Sequence, residues 1–344
     1  MRTRYTGRAA IVATLVFAAC SERPTGPLEG PPIASLAISG VRINAVDFRT
    51  TGAFELGLVA SAADGSAILQ TGVGISAMLD AISGGGGSGT SAAYKIERNQ
   101  TTATVTNADV RAAILIDDSG SMETSDPSLL RASASTLFWE SLLPARAGNQ
   151  VAILDFGPSA TSGFADTRLL QPWTNSARSL SASIAGIRAL GSTPLYASLI
   201  ELSGWMTKTT MAGQSLVILL LTDGKPENDR GTRSAAINAA RAAGITIHGV
   251  GLGPASDLSS APDVVAIDAV RALSEQTGGV YSAATTASAL APIFKILATV
   301  SSRGQLVGRF RISPVPPSGA KVNGSIVVVS GGQSERASFS FLAP

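Results

Sequence analysis

Five oxygen-bearing side chains lie in three separate stretches of the chain, at places where a hard cation could bind. They are Asp117, Ser119, Ser121, Thr193 and Asp223. The first three alternate along Asp-Asp-Ser-Gly-Ser directly after the apolar run Ala112–Ile116, and Asp223 follows the apolar run Leu216–Leu221. None of them is Cys or His, and hydroxyl and carboxylate oxygens suit hard divalent ions such as Mg²⁺, Mn²⁺ or Ca²⁺. If the fold brings the three stretches together, they can form one metal site.

The region 111–302 alternates apolar runs with helical patterns, which predicts an α/β fold with a Rossmann-like, doubly wound and mostly parallel sheet. The predicted strands are Ala112–Ile116, Val151–Phe156, Leu216–Leu221, Ile245–Val250 and Val280–Ser282, and a short edge strand would fit near Arg168–Leu170. Ligand sites in such sheets form at the carboxyl ends of the strands. Asp117 and Asp223 follow two of these strands, so we expect them at the same edge of the sheet.

Two helix starts are predicted from the same arrangement of residue types. Asp126-Pro127 and Thr193-Pro194 each offer a side-chain oxygen for an N-cap and then a proline for the first helical position. The predicted buried stripe of the first helix is Leu130, Ala134, Leu137 and Leu142. That of the second is Leu195, Leu199, Leu202 and Met206.

The α/β region lies between two β-rich segments, 33–110 and 303–344, in which short apolar alternations are broken by Gly, Asp and Ser. Because chain termini often lie close together in a domain, both segments can pair into a single β-sandwich with the α/β domain inserted between them. The predicted fold class is therefore an α/β sheet flanked by segments that form a β-sandwich.

Asp-x-Ser-x-Ser after the first strand, a later Thr, and an Asp after a buried strand resemble the metal-ion-dependent adhesion site of von Willebrand factor A domains. The resemblance covers about residues 111–300, and its motif positions fall on Asp117, Ser119, Ser121, Thr193 and Asp223. It implies a bound Mg²⁺, or Mn²⁺ or Ca²⁺, and a protein partner whose Asp or Glu carboxylate binds the metal. It implies a binding protein and not an enzyme.

Other functions remain open at this point. The metal could serve only to stabilise a structural module of an envelope or secretion assembly. A metal-dependent hydrolase is a further alternative, but the only histidine, His248, lies within a predicted strand, where a core histidine is expected. Asp117-x-Ser119 also resembles the start of the haloacid-dehalogenase motif, yet Ser119 stands where that chemistry needs a second Asp. A net charge of +2 gives no reason to expect nucleic acid as a partner.

The N-terminus has the pattern of a bacterial lipoprotein. Arg2, Arg4 and Arg8 precede an apolar run that is too short to span a bilayer, and Ala18-Ala19 precede Cys20, the only cysteine. We therefore expect a signal peptide over 1–19, lipidation of Cys20, and a proline-rich tether over 20–32. These features predict an envelope protein with a membrane anchor. Ser21 favours the outer membrane over the inner membrane.

Overall fold

The structure is a computed structural model that describes residues 30–84, 93–157, 161 and 163–344. The predicted signal peptide, Cys20 and the tether up to residue 29 lie outside these residues. Within them, no helix is both long and apolar enough to cross a membrane.

The helices and strands of the described residues are named in chain order. They are β1 (Ile33–Arg42), α1 (Ala45–Thr51), β2 (Ala53–Ala62), β3 (Gly74–Gly84), β4 (Lys95–Val105), β5 (Val110–Asp117), α2 (Met122–Ser125), α3 (Leu130–Leu142), β6 (Gln150–Phe156), β7 (Thr167–Thr174), α4 (Ala177–Ile184), α5 (Leu195–Thr209), β8 (Ser215–Thr222), α6 (Arg233–Ala242), β9 (Ile245–Leu252), α7 (Val264–Gln276), β10 (Tyr281–Ala284), α8 (Leu290–Arg303), β11 (Gly304–Ser313), β12 (Ala320–Ser330) and β13 (Gln333–Leu342).

The central sheet has six strands in the order β10-β9-β8-β5-β6-β7, and only the edge strand β7 is antiparallel to its neighbour. Successive residues of β5 point to opposite faces. Ile114 and Ile116 pack on one face with side chains of α3, α4 and α8, and Leu115 packs on the other with side chains of α5 and α6. Burial on both faces explains why these strands are apolar throughout. The predicted doubly wound, mostly parallel sheet is confirmed.

The two flanking segments form two antiparallel sheets that share one hydrophobic core. Strand β11 pairs with β2 and β4, and β12 pairs with β3 and β13. Each sheet thus combines strands from before and after the α/β domain. Helix α8 ends at Arg303 and β11 begins at Gly304, so the chain passes from one domain into the other without a linker.

Two predicted helix starts differ from the structure. Helix α3 begins at Leu130, and Pro127 is not its first residue, although the Asp126 carboxylate still accepts from the Leu130 and Arg131 N–H groups at 2.7 and 3.0 Å. The buried face also differs from the predicted stripe, since Leu130 is exposed and Leu137 only half-buried. The buried residues of α3 are Arg131, Ala134, Ser135, Phe138, Trp139 and Leu142.

The second difference concerns Thr193-Pro194. Helix α5 begins at Leu195 with Pro194 in the N-cap position, and no N-cap side chain binds its first turn. The predicted stripe of α5 is correct, since Leu195, Leu199, Leu202 and Met206 are fully buried. Thr193 does not serve as the cap, which leaves its hydroxyl free for another role.

Candidate functional site: a hydroxyl-rich cluster at the carboxyl edge of the sheet

The first loop of the site begins at the last residue of β5. Both carboxylate oxygens of Asp117 already accept hydrogen bonds, Oδ1 from the Ser119 N–H at 2.8 Å and Oδ2 from the Thr222 hydroxyl. Thr222 is the last residue of β8, the strand beside β5. Asp117 is therefore fixed by both its own loop and the neighbouring strand.

The hydroxyls of the first loop point towards the loop that follows β8. Ser119 Oγ lies 3.1 Å from Ser121 Oγ, and Ser121 Oγ donates to Asp223 Oδ1 at 2.7 Å. Thr193 lies beside the same loop, because a Cβ atom added to Gly224 would lie 3.7 Å from both Ser121 Oγ and Thr193 Oγ1. The structure thus brings together all five residues singled out in the sequence.

These contacts argue against the simplest structural explanation of the motifs, in which each polar residue only stabilises its own turn. Asp117 does accept from Ser119, two residues on, as in such a turn. Ser121, however, stands at the N-cap of α2 without making a cap hydrogen bond, and its hydroxyl reaches across to Asp223. The hydroxyl groups are therefore oriented by the cluster and not by the local turns.

Asp229 is a residue of this region that the sequence analysis missed. Its carboxylate accepts from the N–H groups of Tyr196 and Ala197 at 2.5 and 3.0 Å, which satisfies the first turn of α5 in place of Thr193. The Glu227 N–H also donates to the Thr193 carbonyl at 3.0 Å. Asp229 lies more than thirty positions after the two residues whose N–H groups it binds, so no local sequence pattern could have indicated it.

Burial and like charge both act on the carboxylates of the cluster. Burial, followed by the charge of Asp223, raises the pKa of Asp117 to about 6. Burial also raises the pKa of Asp118, against the N–H of Arg188 and the guanidinium of Arg131, which favour its charged form. Asp223 Oδ2 is buried and has no hydrogen-bond partner among the described residues.

The charge of this region is unbalanced among the described residues. Five carboxylates are almost wholly buried, namely those of Asp117, Asp118, Asp126, Asp155 and Asp223. Only two guanidinium groups, those of Arg131 and Arg168, form ion pairs with them, which leaves three more buried acids than bases. Buried charges without partners are costly. The excess of buried acids fits a bound cation, and so does Asp223 Oδ2, which has no hydrogen-bond partner among the described residues.

The donor set fits a hard divalent ion more closely than a softer metal that prefers Cys or His ligands. Within the described residues, no cluster contains three or more His, Cys, Asp or Glu side chains that could hold a metal. The cluster instead offers three hydroxyls beside two carboxylates, an all-oxygen set. Ser121 is exposed, whereas Asp117, Ser119, Thr193 and Asp223 are at most 4% exposed, so the cluster is open to solvent on the Ser121 side.

His248 lies apart from this cluster in its contacts. It is 3% exposed in β9, and its Nδ1 atom accepts from the Val280 N–H at 3.2 Å. Burial, with a smaller effect from the charge of Arg42, lowers its pKa to about 4. It is the core histidine that the sequence predicted.

A parallel sheet with helices on both faces, carrying a hydroxyl and carboxylate cluster on the loops after β5 and β8, defines the class of domain. Residues 112–225 match the family model of the von Willebrand factor type A domain. The chain therefore contains a von Willebrand factor type A domain.

Comparison with solved structures finds several that are similar to this chain, among them von Willebrand factor type A domains. The vWF domain of the type V pili tip protein Mfa5 from Porphyromonas gingivalis is 15% identical, with a TM-score of 0.43, and the match covers 57% of this chain and 95% of that chain. A von Willebrand factor type A protein from Catenulispora acidiphila is 12% identical, with a TM-score of 0.45, over 91% of this chain and 74% of that chain.

Proximal thread matrix protein 1 from the mussel byssus, described with zinc in its adhesion-site motif, is 14% identical. Its TM-score is 0.43, and the match covers 62% of this chain and 50% of that chain. No curated protein matches the chain.

Proposed function

We propose that this protein is an envelope-anchored binding protein whose von Willebrand factor type A domain holds a divalent cation, Mg²⁺ in the first place, and binds a protein partner through it. The observation that carries the proposal is that three hydroxyls lie beside Asp223 Oδ2, a carboxylate oxygen without a hydrogen-bond partner among the described residues, in a region with more buried acids than bases. A bound cation would coordinate these oxygens and offset the cost of burying the carboxylates.

The contacts suggest different roles for the two carboxylates. Asp223 Oδ2 and the hydroxyls of Ser119, Ser121 and Thr193 are the groups with capacity to hold the ion. Each oxygen of Asp117 already accepts one hydrogen bond, so Asp117 would hold Ser119 and Thr222 in position and add its negative charge to the site. When bound, the cation supplies a Lewis-acidic centre that attracts an anionic oxygen.

The partner chemistry follows from the number of ligands. Mg²⁺ takes about six oxygens, and the four groups named above leave coordination places for water or for an incoming group. The exposed side of Ser121 gives access to these places. A carboxylate of a partner's Asp or Glu fits them in charge and in hardness. This proposal assigns the domain a binding role and no catalytic role.

The first experiment measures thermal unfolding with and without Mg²⁺. A ligand that binds only the folded state stabilises it by RT ln(1 + [L]/Kd), so the wild-type melting temperature should rise with Mg²⁺. Asp117→Ala should lose this rise. Asp263→Ala is the matched control, because Asp263 caps α7 and has no contact with the cluster; it should lower the melting temperature but keep the Mg²⁺ response. An equal response in wild type and Asp117→Ala would refute the metal assignment.

A second experiment separates partner binding from a purely stabilising metal. Envelope proteins are passed over the immobilised wild type and over the Asp117→Ala variant, each with Mg²⁺ or with chelator. A partner that binds through the ion is retained only by the wild type and only with Mg²⁺. Retention that ignores chelator, in a protein whose melting temperature falls with chelator, would favour a stabilising metal.

The anchoring part of the proposal rests on the sequence around Cys20, which lies outside the described residues. Several acyl chains on one cysteine would hold the protein at a membrane, since each buried CH₂ adds roughly 0.8 kcal/mol. Cys20→Ser should release the protein from the membrane fraction. If the variant still sediments with the envelope, lipidation is not its anchor.

A further inference from the structure

Arg131 lies inside the protein, behind the residues of the candidate metal site. Its side chain is fully buried at the start of α3. Its Nε and Nη2 atoms donate to Asp118 Oδ1 at 3.1 and 3.0 Å, and Nη1 donates to Asp126 Oδ2 at 3.0 Å. This guanidinium group therefore joins the loop after β5 to the segment that leads into α3.

Asp118 carries the connection further, to the loop that contains Thr193. Its other carboxylate oxygen, Oδ2, accepts from the Arg188 N–H at 2.7 Å, and its carbonyl accepts from the Leu190 N–H at 2.6 Å. Beside this contact, the Gly120 N–H donates to the Gly191 carbonyl at 3.1 Å. Both loops are thus held to each other through residues that alternate with the proposed ligands.

These loops are packed so closely that their backbones have little freedom to shift relative to each other. Gly191 has a positive φ of 93°, and a Cβ atom there would collide with the carbonyl of Gly157. Gly157, with a φ of 117°, is itself packed against the Asp118 and Ser119 backbone. A change in the position of Asp118 would therefore be passed to Ser119 on one side and to the Thr193 loop on the other.

We propose that Arg131 is a positioning residue for the metal site, acting through Asp118 to set the distance between the hydroxyls of Ser119 and Ser121 and that of Thr193. This inference rests on the proposed function, since it assumes that the cluster binds a cation. Arg131 does not touch the ion. Its effect is to fix the two loops that carry the ligands before the ion arrives.

The sign of the effect separates this role from simple electrostatics. Arg131 is a positive charge close to a proposed cation site, so its removal alone should make the site more negative and strengthen cation binding. Loss of positioning should weaken it, as residues that orient metal ligands commonly change metal affinity by roughly 10–100-fold. Weaker binding after removal of a nearby positive charge would be explained by geometry and not by charge.

The test measures the Mg²⁺ dissociation constant of the full chain by calorimetry in wild type, Arg131→Met, Arg131→Lys and Arg271→Met. Arg271→Met is the matched control, because Arg271 forms a similar ion pair with Asp257, at 2.6 Å, away from the ligand loops. It loses a buried ion pair without touching the positioning contacts. Its dissociation constant should stay within about twofold of wild type, as expected for a change at an independent site.

Arg131→Met should raise the dissociation constant roughly tenfold or more. Arg131→Lys keeps the charge but not the forked geometry that reaches Asp118 and Asp126 together, so it should fall between wild type and Arg131→Met. If Arg131→Met does not fold, Arg131→Lys decides alone. Wild-type or tighter affinity in the folded Arg131 variants would overturn the positioning role. A wild-type chain that does not bind Mg²⁺ would instead overturn the proposed function, a distinguishable result.

Discussion

Asp257 and Asp117 are both buried aspartates near the carboxyl ends of strands in the same sheet, but their surroundings differ. Asp257 pairs with Arg271 at 2.6 Å, and the guanidinium of Arg271 lies 4.9 Å from the centre of the Tyr281 ring. Among the described residues, the Asp117 carboxylate bonds to the Ser119 N–H and the Thr222 hydroxyl and forms no ion pair. Burial raises its pKa, and the negative charge of another carboxylate, that of Asp223, raises it further.

The difference is what we expect if the Asp257 pair serves the fold and the acids around Asp117 hold the cation that we propose. One acid facing one base, as at Asp257, closes the charge balance within the chain. Around Asp117 the acids outnumber the bases by three among the described residues, even after Arg131 and Arg168 are counted. The Asp257 pair shows that this fold can place a base beside a buried acid. Around Asp117 it does not do so for every acid, and a bound cation would offset the negative charge there.

The largest expected effect breaks the balanced pair. Arg271→Met leaves the Asp257 carboxylate buried without its partner, and breaking a buried ion pair from one side costs about 3 kcal/mol or more of unfolding free energy. Denaturant unfolding of the variant measures this loss, and the Mg²⁺-dependent rise in melting temperature should remain. A loss below about 1 kcal/mol, the range of a surface pair, would show that the two regions are not distinguished as we describe.

A slightly smaller effect concerns His248, a buried group that stays neutral and so does not place an unpaired charge in the core. Its folded-state pKa is about 4 against an ordinary value of 6.5, so the unfolded chain binds a proton that the folded chain does not between these pH values. Stability from this residue is therefore complete above pH 6.5 and lost as the pH falls towards 4, in total about 3 kcal/mol.

The measurement for His248 is a difference between two proteins across that pH range. Asp117, Asp257 and Glu275 have raised pKa values and act with the opposite sign in part of the same range, so the wild-type profile alone would mix these contributions. His248→Asn offers an amide oxygen to the Val280 N–H and cannot take up the proton. The wild type should lose more stability than this variant between pH 6.5 and 4, and parallel profiles would show that the imidazole does not resist protonation.

The sequence predicted the central sheet well because its strands are buried on both faces and must be apolar throughout. The same logic located Asp117 and Asp223, since both follow such strands. The flanking segments were also recognised as β-rich from their alternation. Strand β3 and helix α1 were missed, and both lie in the sandwich, where one face of each strand meets solvent and short polar residues interrupt the pattern.

Long-range partners set the limits of the prediction around the site. The cap of α5 was assigned to Thr193 because the local pattern Thr-Pro fits that role, but the cap comes from Asp229 in a later loop. Arg131 was missed because an arginine in a predicted helix normally faces solvent. Only the fold shows that Asp118 and Asp126 are buried beside it. Local patterns carry no information on such pairings.

The smallest expected effect sharpens the comparison by making one substitution in both regions. Asp223→Asn keeps an oxygen that can accept from Ser121 and removes the charge that opposes Asp117, so in chelator the variant should be more stable than wild type by about 1 kcal/mol, as is common where a functional site holds destabilising charges. Asp257→Asn removes the charge that Arg271 needs and should destabilise the chain. Mg²⁺ should reverse the first result, because the wild type gains stability from the ion while Asp223→Asn gains little. If both substitutions destabilise in chelator, the acids around Asp117 are balanced by the fold itself and the argument for a cation there loses its main support.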